Sequence, residues 1–228
     1  MLVTTAVGRA LIRWVGTRAG TQRNAQIGAT VIPIAGKYRG GVLVLPGGKP
    51  KSTARSHPLQ LTNQRVEWLA GSAAVYSCGG CNTRSAAGTA PSWTRWKIAE
   101  IALASMRAHF DAAKIVVIGH SMGGRVAAHL SASGDVGAVV ALAPWWPRDD
   151  ADLFPNTCRL LVMHGTADTW TDPHSSYRQT LRARDRGVDA QWVPIEGAGH
   201  YLLRQWPRWH QLTAQFAASQ LSERLLEP

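Results

Sequence analysis

The segment Gly119-His120-Ser121-Met122-Gly123-Gly124 places a serine between two kinds of local pattern. Before it runs Lys114-Ile115-Val116-Val117-Ile118, an apolar stretch suited to a buried strand. After it, Arg125 to Leu130 has helical character. Gly-x-Ser-x-Gly between a strand and a helix is the setting in which a serine stands on a sharp turn with its hydroxyl exposed. The chain reverses within a few residues there and passes close to its neighbours, so the flanking positions favour hydrogen over a side chain. The chemistry implied is nucleophilic: a serine oxygen attacks an electrophilic carbon once a base takes its proton. The backbone N–H of Met122 opens the following helix, where partial positive charge suits a developing oxyanion.

The base is expected to be histidine, whose ordinary pKa lies near neutrality. Downstream of Ser121 stand His129, His164, His174, His200 and His210. His129 falls in the helix after the turn and His210 in the terminal helix, which makes both surface or packing residues. His164 ends a strand and shapes the loop beside the acid. His200 closes Gly197-Ala198-Gly199-His200, a glycine loop after the last strand, and can reach over Ser121. Serines on such turns are followed along the chain by the acid and then by the histidine. Asp168, in His164-Gly165-Thr166-Ala167-Asp168, is favoured as the acid, with Asp172 as its rival. Asp149, Asp150 and Asp152 read as loop solvation or a helix start. A carboxylate at Asp168 would fix the histidine tautomer and stabilise the imidazolium. The second oxyanion donor is expected from Pro46-Gly47-Gly48-Lys49, with the Gly48 N–H first and Lys49 as the alternative. Trp145, Trp146 and Trp170 fall in loops on the same side, with Trp206 just beyond the histidine loop. Rings in those positions line an apolar acyl pocket or pack between loop and helix.

These residues need a scaffold, and the chain supplies alternating elements. Strands are expected over Ala25 to Ile34, Gly41 to Leu45, Ala73 to Cys78, Lys114 to Ile118, Val136 to Leu142, Leu160 to Met163 and Ala190 to Ile195. Helices are expected over Leu59 to Leu69, from Pro91 to about Phe110, after Ser121, from His174 to Arg186 and from about Gln205 to Leu226. Short continuous apolar runs such as Val42-Leu43-Val44-Leu45 suit strands buried on both faces. The expected fold class is α/β, a mostly parallel central sheet with helices on both faces. Only a short stretch separates Pro144 from the strand at Leu160, so no cap domain is expected and the site should be open. Residues 1–24 are read as an N-terminal amphipathic helical segment and 25–228 as a single domain.

The segments Leu45-Pro46-Gly47-Gly48, Gly119-His120-Ser121-Met122-Gly123-Gly124, His164-Gly165-Thr166-Ala167-Asp168 and Gly197-Ala198-Gly199-His200 together resemble the α/β-hydrolase superfamily, from about Ala25 onward. The likeness is greatest to small, capless members related to dienelactone hydrolases and carboxylesterases. It implies a triad of Ser121, Asp168 and His200, and hydrolysis of carboxylic or thio esters of small or acyl substrates through an acyl-enzyme on Ser121. Two positions depart from the relatives. Pro46 stands where many carry histidine, and a serine nucleophile replaces the cysteine of dienelactone hydrolases proper, which argues against that particular substrate. An acyltransferase using the same triad and a non-catalytic binding protein on the same fold are the alternative readings.

Bulk composition narrows the other classes. The 228 residues are 45% hydrophobic and 17% charged, the profile of a chain that buries a core. The net charge of +11 comes from 25 Lys+Arg against 14 Asp+Glu. The basic residues are dispersed, and the densest run, Arg178, Arg182, Arg184 and Arg186, reads as one solvated helix face. No specific nucleic-acid partner is expected. Cys78 and Cys81 form a C-x-x-C pair around two glycines, with Cys158 far away. Without a second pair, no structural zinc is expected, and no cofactor. No apolar run is long enough to span a membrane. Val3, Val7, Ala10, Leu11, Trp14 and Val15 share a helical face opposite Arg9 and Arg13, so weak membrane-surface association through this segment stands beside simple packing on the domain. A cytoplasmic location is the default expectation, and the oligomeric state is left open.

Overall fold

The computed structural model describes residues 22–23, 30–32, 40–47, 74–77 and 93–221. The expected helices over 1–24 and Leu59 to Leu69, and the Cys78/Cys81 pair, lie outside the described residues, apart from Gln22 and Arg23. Among the described residues eight strands form one sheet: β1 (Gln22–Arg23), β2 (Thr30–Ile32), β3 (Gly41–Leu45), β4 (Ala74–Ser77), β5 (Ile115–His120), β6 (Ala138–Leu142), β7 (Arg159–Gly165) and β8 (Ala190–Ile195). Their spatial order is β1-β2-β4-β3-β5-β6-β7-β8. From β4 to β8 every neighbouring pair is parallel, and β2 joins β4 antiparallel. Among the described residues the first strand pairs Gln22 with Val31 and Arg23 with Thr30.

Parallel strands in the middle of a sheet are covered on both faces, which is why β3, β5 and β6 are buried at every position. Their side chains alternate between two cores. Leu43, Leu45, Ile115 and Val117 pack with Leu103 and Met106 of α1 (Trp93–Arg107), Val126 and Leu130 of α2 (Met122–Ser131), and Ala183 of α3 (Pro173–Asp185). Val42, Val44, Val116 and Ile118 face the other way, onto Trp209, Phe216 and Leu221 of α4 (Trp206–Leu221). One β-period thus feeds two helical layers. Pro194 sits in β8, where the missing N–H is tolerated because β8 is the edge of the sheet among the described residues.

The loops that carry the chemistry leave the C-terminal ends of β3, β5, β7 and β8 together, because these strands run in the same direction. Between β6 and β7 the chain holds one short 3-10 turn, Asp150–Leu153, so no cap is inserted at that connection. Buried Asp150 ties the connection to α2, accepting from Arg125 Nε at 2.7 Å.

Candidate active site

Ser121 is the hinge between β5 and α2, with φ 55° and ψ −116°. A non-glycine residue in that region carries strain of about 1–3 kcal/mol and persists only where its surroundings hold it. Three backbone hydrogen bonds do so. The Ser121 N–H donates to the Leu142 carbonyl at 2.9 Å, and the Ser121 carbonyl accepts from Gly124 and Trp145, each at 3.0 Å. The glycines are required by close approach. A Cβ on Gly119 would collide with the Gly123 carbonyl, and one on Gly123 with the Leu45 carbonyl. The start of α2 can therefore lie directly against the ends of β5 and β3.

His200 comes from the loop after β8 and meets the serine across 79 positions of chain: Ser121 Oγ lies 3.0 Å from His200 Nε2. On its other side His200 Nδ1 lies 2.9 Å from Asp168 Oδ2. Asp168 follows β7 and its side chain is fully buried. Its Oδ2 also takes His164 Nε2 at 3.0 Å and the Thr171 hydroxyl at 2.7 Å. Its Oδ1 accepts the backbone N–H groups of Trp170, at 2.8 Å, and Thr171, at 3.1 Å. Burial by itself pushes the Asp168 carboxyl up. Hydrogen bonds from His164, His200 and Thr171 outweigh it and hold the group well below the usual carboxylate range. An ionised Asp168 keeps the proton on His200 Nδ1, which leaves Nε2 as the acceptor facing the serine hydroxyl.

Two further anchors were not legible in the sequence. The His120 Nε2–H donates to the His200 carbonyl at 2.9 Å, so the residue preceding the nucleophile grips the histidine loop. Thr171 touches both Asp168 and His200 Nδ1, the latter at 3.2 Å. A threonine three positions after the acid was the available signal for the second. Nothing in sequence spacing marks the first.

The other residues singled out from sequence take varied positions. Met122 is the first residue of α2, so its N–H has no acceptor within the helix. Gly48 and Lys49 lie outside the described residues. The adjoining Gly47 packs over the turn, its Cβ position 3.3 Å from Ser121 Cβ. Trp170 stacks on the His200 ring, centroids 5.3 Å apart at 22°. Trp145 is half-buried beneath the Arg125 guanidinium, 5.2 Å from the ring centroid. Trp146 is only 4% exposed, packs edge-on to Phe154, and donates its indole N–H to the Gly124 carbonyl at 3.3 Å. It belongs to the core, the second of the two placements open to these rings. Trp206 sits at the start of α4 with its ring against His210. Asp172 caps α3, accepting the His174 N–H at 2.9 Å. Arg182 of α3 pairs with Asp149 at 2.7 Å, and Arg186, just past its end, pairs with Asp152 at 2.6 Å, all four side chains exposed. Cys158 is buried, and burial pushes its thiol up to about 12. No helix among the described residues is long and apolar enough to cross a membrane.

Comparison with known proteins bears on the fold and the family. Est1E from Butyrivibrio proteoclasticus superposes with a TM-score of 0.61 at 14% identity, covering 85% of this chain and 93% of that one. The thermophilic esterase Est2 from Thermogutta terrifontis gives 0.62 at 18% identity, covering 87% and 90%. A puromycin-hydrolyzing peptidase from Mycobacterium tuberculosis gives 0.62 at 16% identity over 85% of this chain and 37% of that one. No curated protein matches the sequence significantly. At these identities the superpositions establish the fold. The profile of a family described as "Alpha/beta hydrolase domain" matches residues 82–217, more than half of the sequence and all of the Ser121, Asp168 and His200 segments. The chain belongs to the alpha/beta hydrolase domain family.

Proposed function

We propose that the protein is a serine hydrolase that cleaves carboxylic esters or thioesters of apolar acyl groups through an acyl-enzyme on Ser121. The observation that carries this reading is the unbroken relay Ser121 Oγ, His200 Nε2, His200 Nδ1, Asp168 Oδ2, with steps of 3.0 and 2.9 Å on either side of the imidazole.

In the first half-reaction Ser121 Oγ bonds to the acyl carbon as its proton passes to His200 Nε2. The carbonyl oxygen becomes an oxyanion, for which the Met122 N–H and an N–H of the loop at Gly48 are the donors. Collapse breaks the bond to the leaving alcohol or thiol, which takes the proton from Nε2. In the second half-reaction His200 Nε2 takes a proton from water, hydroxide adds to the acyl carbon, and Ser121 departs with that proton. Asp168 remains ionised throughout and stabilises the imidazolium.

The exposed Trp170 ring beside His200 supports an apolar acyl or aromatic group as the substrate's neighbour. Solved structures of relatives with ferulic acid, butyrate and propionate bound favour the same range. The test is a fluorophosphonate probe followed by a series of nitrophenyl esters and thioesters of increasing acyl length. Ser121 should be labelled, and Ser121→Ala should abolish both labelling and turnover. Folded protein that neither reacts with the probe nor cleaves any ester removes the reading.

A further inference from the structure

Six large hydrophobic side chains are exposed among the described residues; three of them fall in the loops around His200 and a fourth opens α4. Trp170 is 64% exposed, Leu203 54%, Tyr201 49% and Trp206 47%. Trp170 and Tyr201 meet edge-to-face at 5.3 Å, and both pack against the His200 ring, at 5.3 and 5.6 Å. Leu203 and Trp206 follow on the same short connection into α4, while Leu202 between them and Tyr201 is buried and pins it. Trp170 and Tyr201 place apolar surface at the mouth of the reaction centre, and the chain carries Leu203 and Trp206 on from there.

The same connection is cationic. Arg204 and Arg208 are exposed on it, and residues 197–221 contain no Asp or Glu. The Arg204 guanidinium reaches back to Gly197 at the base of the histidine loop, and Arg208 Nη1 contacts Gln205 at 3.3 Å. The flanking carboxylates are engaged: Glu196 accepts from Thr166 Oγ1 at 3.4 Å, and Asp172 caps α3 and lies 3.8 Å from Arg178. Large apolar side chains set among arginines are the composition that settles at the boundary between headgroups and acyl chains. Anionic headgroups add attraction for each arginine near the surface. Nucleic acid fits less well, because a phosphate backbone would leave Leu203 and the indole of Trp206 without apolar cover.

We propose that this rim, Trp170, Tyr201, Leu203 and Trp206 with Arg204 and Arg208, docks on an anionic lipid bilayer and presents Ser121 to esters held in it. The substrate class is thereby narrowed to acyl esters at a negatively charged lipid surface, an inference that rests on the ester-cleaving reading above. Docking here would set the open site against the membrane and let an acyl ester enter past Trp170 without passing through water.

The test uses the full chain and sedimentation with sucrose-loaded vesicles of phosphatidylcholine alone or mixed with phosphatidylglycerol. The wild type should bind the mixed vesicles at least about tenfold better than phosphatidylcholine alone. The double variant Leu203→Ser/Arg208→Glu should weaken that binding by roughly tenfold. Its thermal melting and its turnover of dissolved nitrophenyl butyrate should stay at the wild-type level, while its turnover of an ester embedded in the mixed vesicles falls with binding. A double variant that binds like the wild type overturns the proposal, as does equal wild-type binding to both vesicles. So does a variant whose defect is confined to binding of double-stranded DNA. A wild type that binds the mixed vesicles but cleaves no ester would leave the docking surface standing and remove the ester reading instead.

Discussion

His164 and His200 meet on one oxygen: Nε2 of the first lies 3.0 Å and Nδ1 of the second 2.9 Å from Asp168 Oδ2. The two imidazoles come from neighbouring strands, one from the end of β7 and one from the loop after β8. His164 is fully buried, and its Nδ1 is 2.8 Å from Ser176 Oγ, which also takes the Trp192 indole N–H at 3.1 Å. The orientation of Asp168 is thus set from α3 and β8 as well as from its own loop. His164 touches no reacting atom and acts through Asp168 as a positioning residue. Removing a hydrogen bond to a charged group costs about 1.5–3 kcal/mol, so His164→Leu should lower kcat by roughly ten- to a hundredfold with KM little changed. Steady-state kinetics on a nitrophenyl ester would read this, and His164→Gln, which keeps a donor, should recover part of the loss. Equal loss in both variants would count against a hydrogen-bonding role.

Asp168 and Asp172 separate cleanly by environment. Asp168 receives five hydrogen bonds, whereas Asp172 is exposed at the cap of α3. Asp168→Asn should depress kcat by roughly 10⁴-fold, because the amide no longer enforces the histidine tautomer. Asp172→Ala should keep most of the activity and cost about 1 kcal/mol of stability through the lost cap. Kinetics and urea unfolding on both variants check the assignment, and comparable kinetic damage would transfer the role to Asp172.

The lowered pKa of Asp168 has a consequence for acid stability. In the unfolded chain its carboxyl returns to about 3.9. The folded state holds it lower, so below about pH 4 the unfolded state binds a proton that the folded state does not. This contribution is fully present above that pH and is lost progressively as the pH falls toward the folded value. Unfolding free energies measured from neutral pH down to about pH 3 should therefore fall more steeply for the wild type than for Asp168→Asn. Parallel curves for the two proteins would contradict the environment described for this carboxylate.

The tryptophans give opposite expectations. Trp146 is buried against Phe154 and Gly124, so Trp146→Ala should destabilise by about 3–5 kcal/mol, seen in urea titration. Trp170 is exposed and stacked on His200, so Trp170→Ala should change stability by less than about 0.5 kcal/mol. Its ring faces an imidazole that becomes cationic in the transition state, a contact worth about 0.5–1 kcal/mol, so kcat/KM should drop roughly two- to fivefold. A Trp170→Ala protein with unchanged kcat/KM across the ester series would separate the stacking from the chemistry.

What the sequence determined by itself was everything written in neighbouring residues. Apolar runs such as Val42 to Leu45 announce strands covered on both faces, because the burial of such a strand is a property of its own side chains. Gly119-x-Ser121-x-Gly123 announces the turn, because the collisions that exclude side chains occur within that turn and against the strand beside it. The order of Ser121, Asp168 and His200 follows from the succession of parallel strands, whose ends open on one side. Tertiary structure alone decided the contacts between distant side chains. It brought His164 and Thr171 onto Asp168, and set the His120 ring against the His200 carbonyl. It also turned adjacent Trp145 and Trp146 to different surroundings and left Trp170 exposed beside His200. Those outcomes depend on the direction in which each side chain leaves a loop and on what the opposing loop presents there. Local sequence carries no record of either.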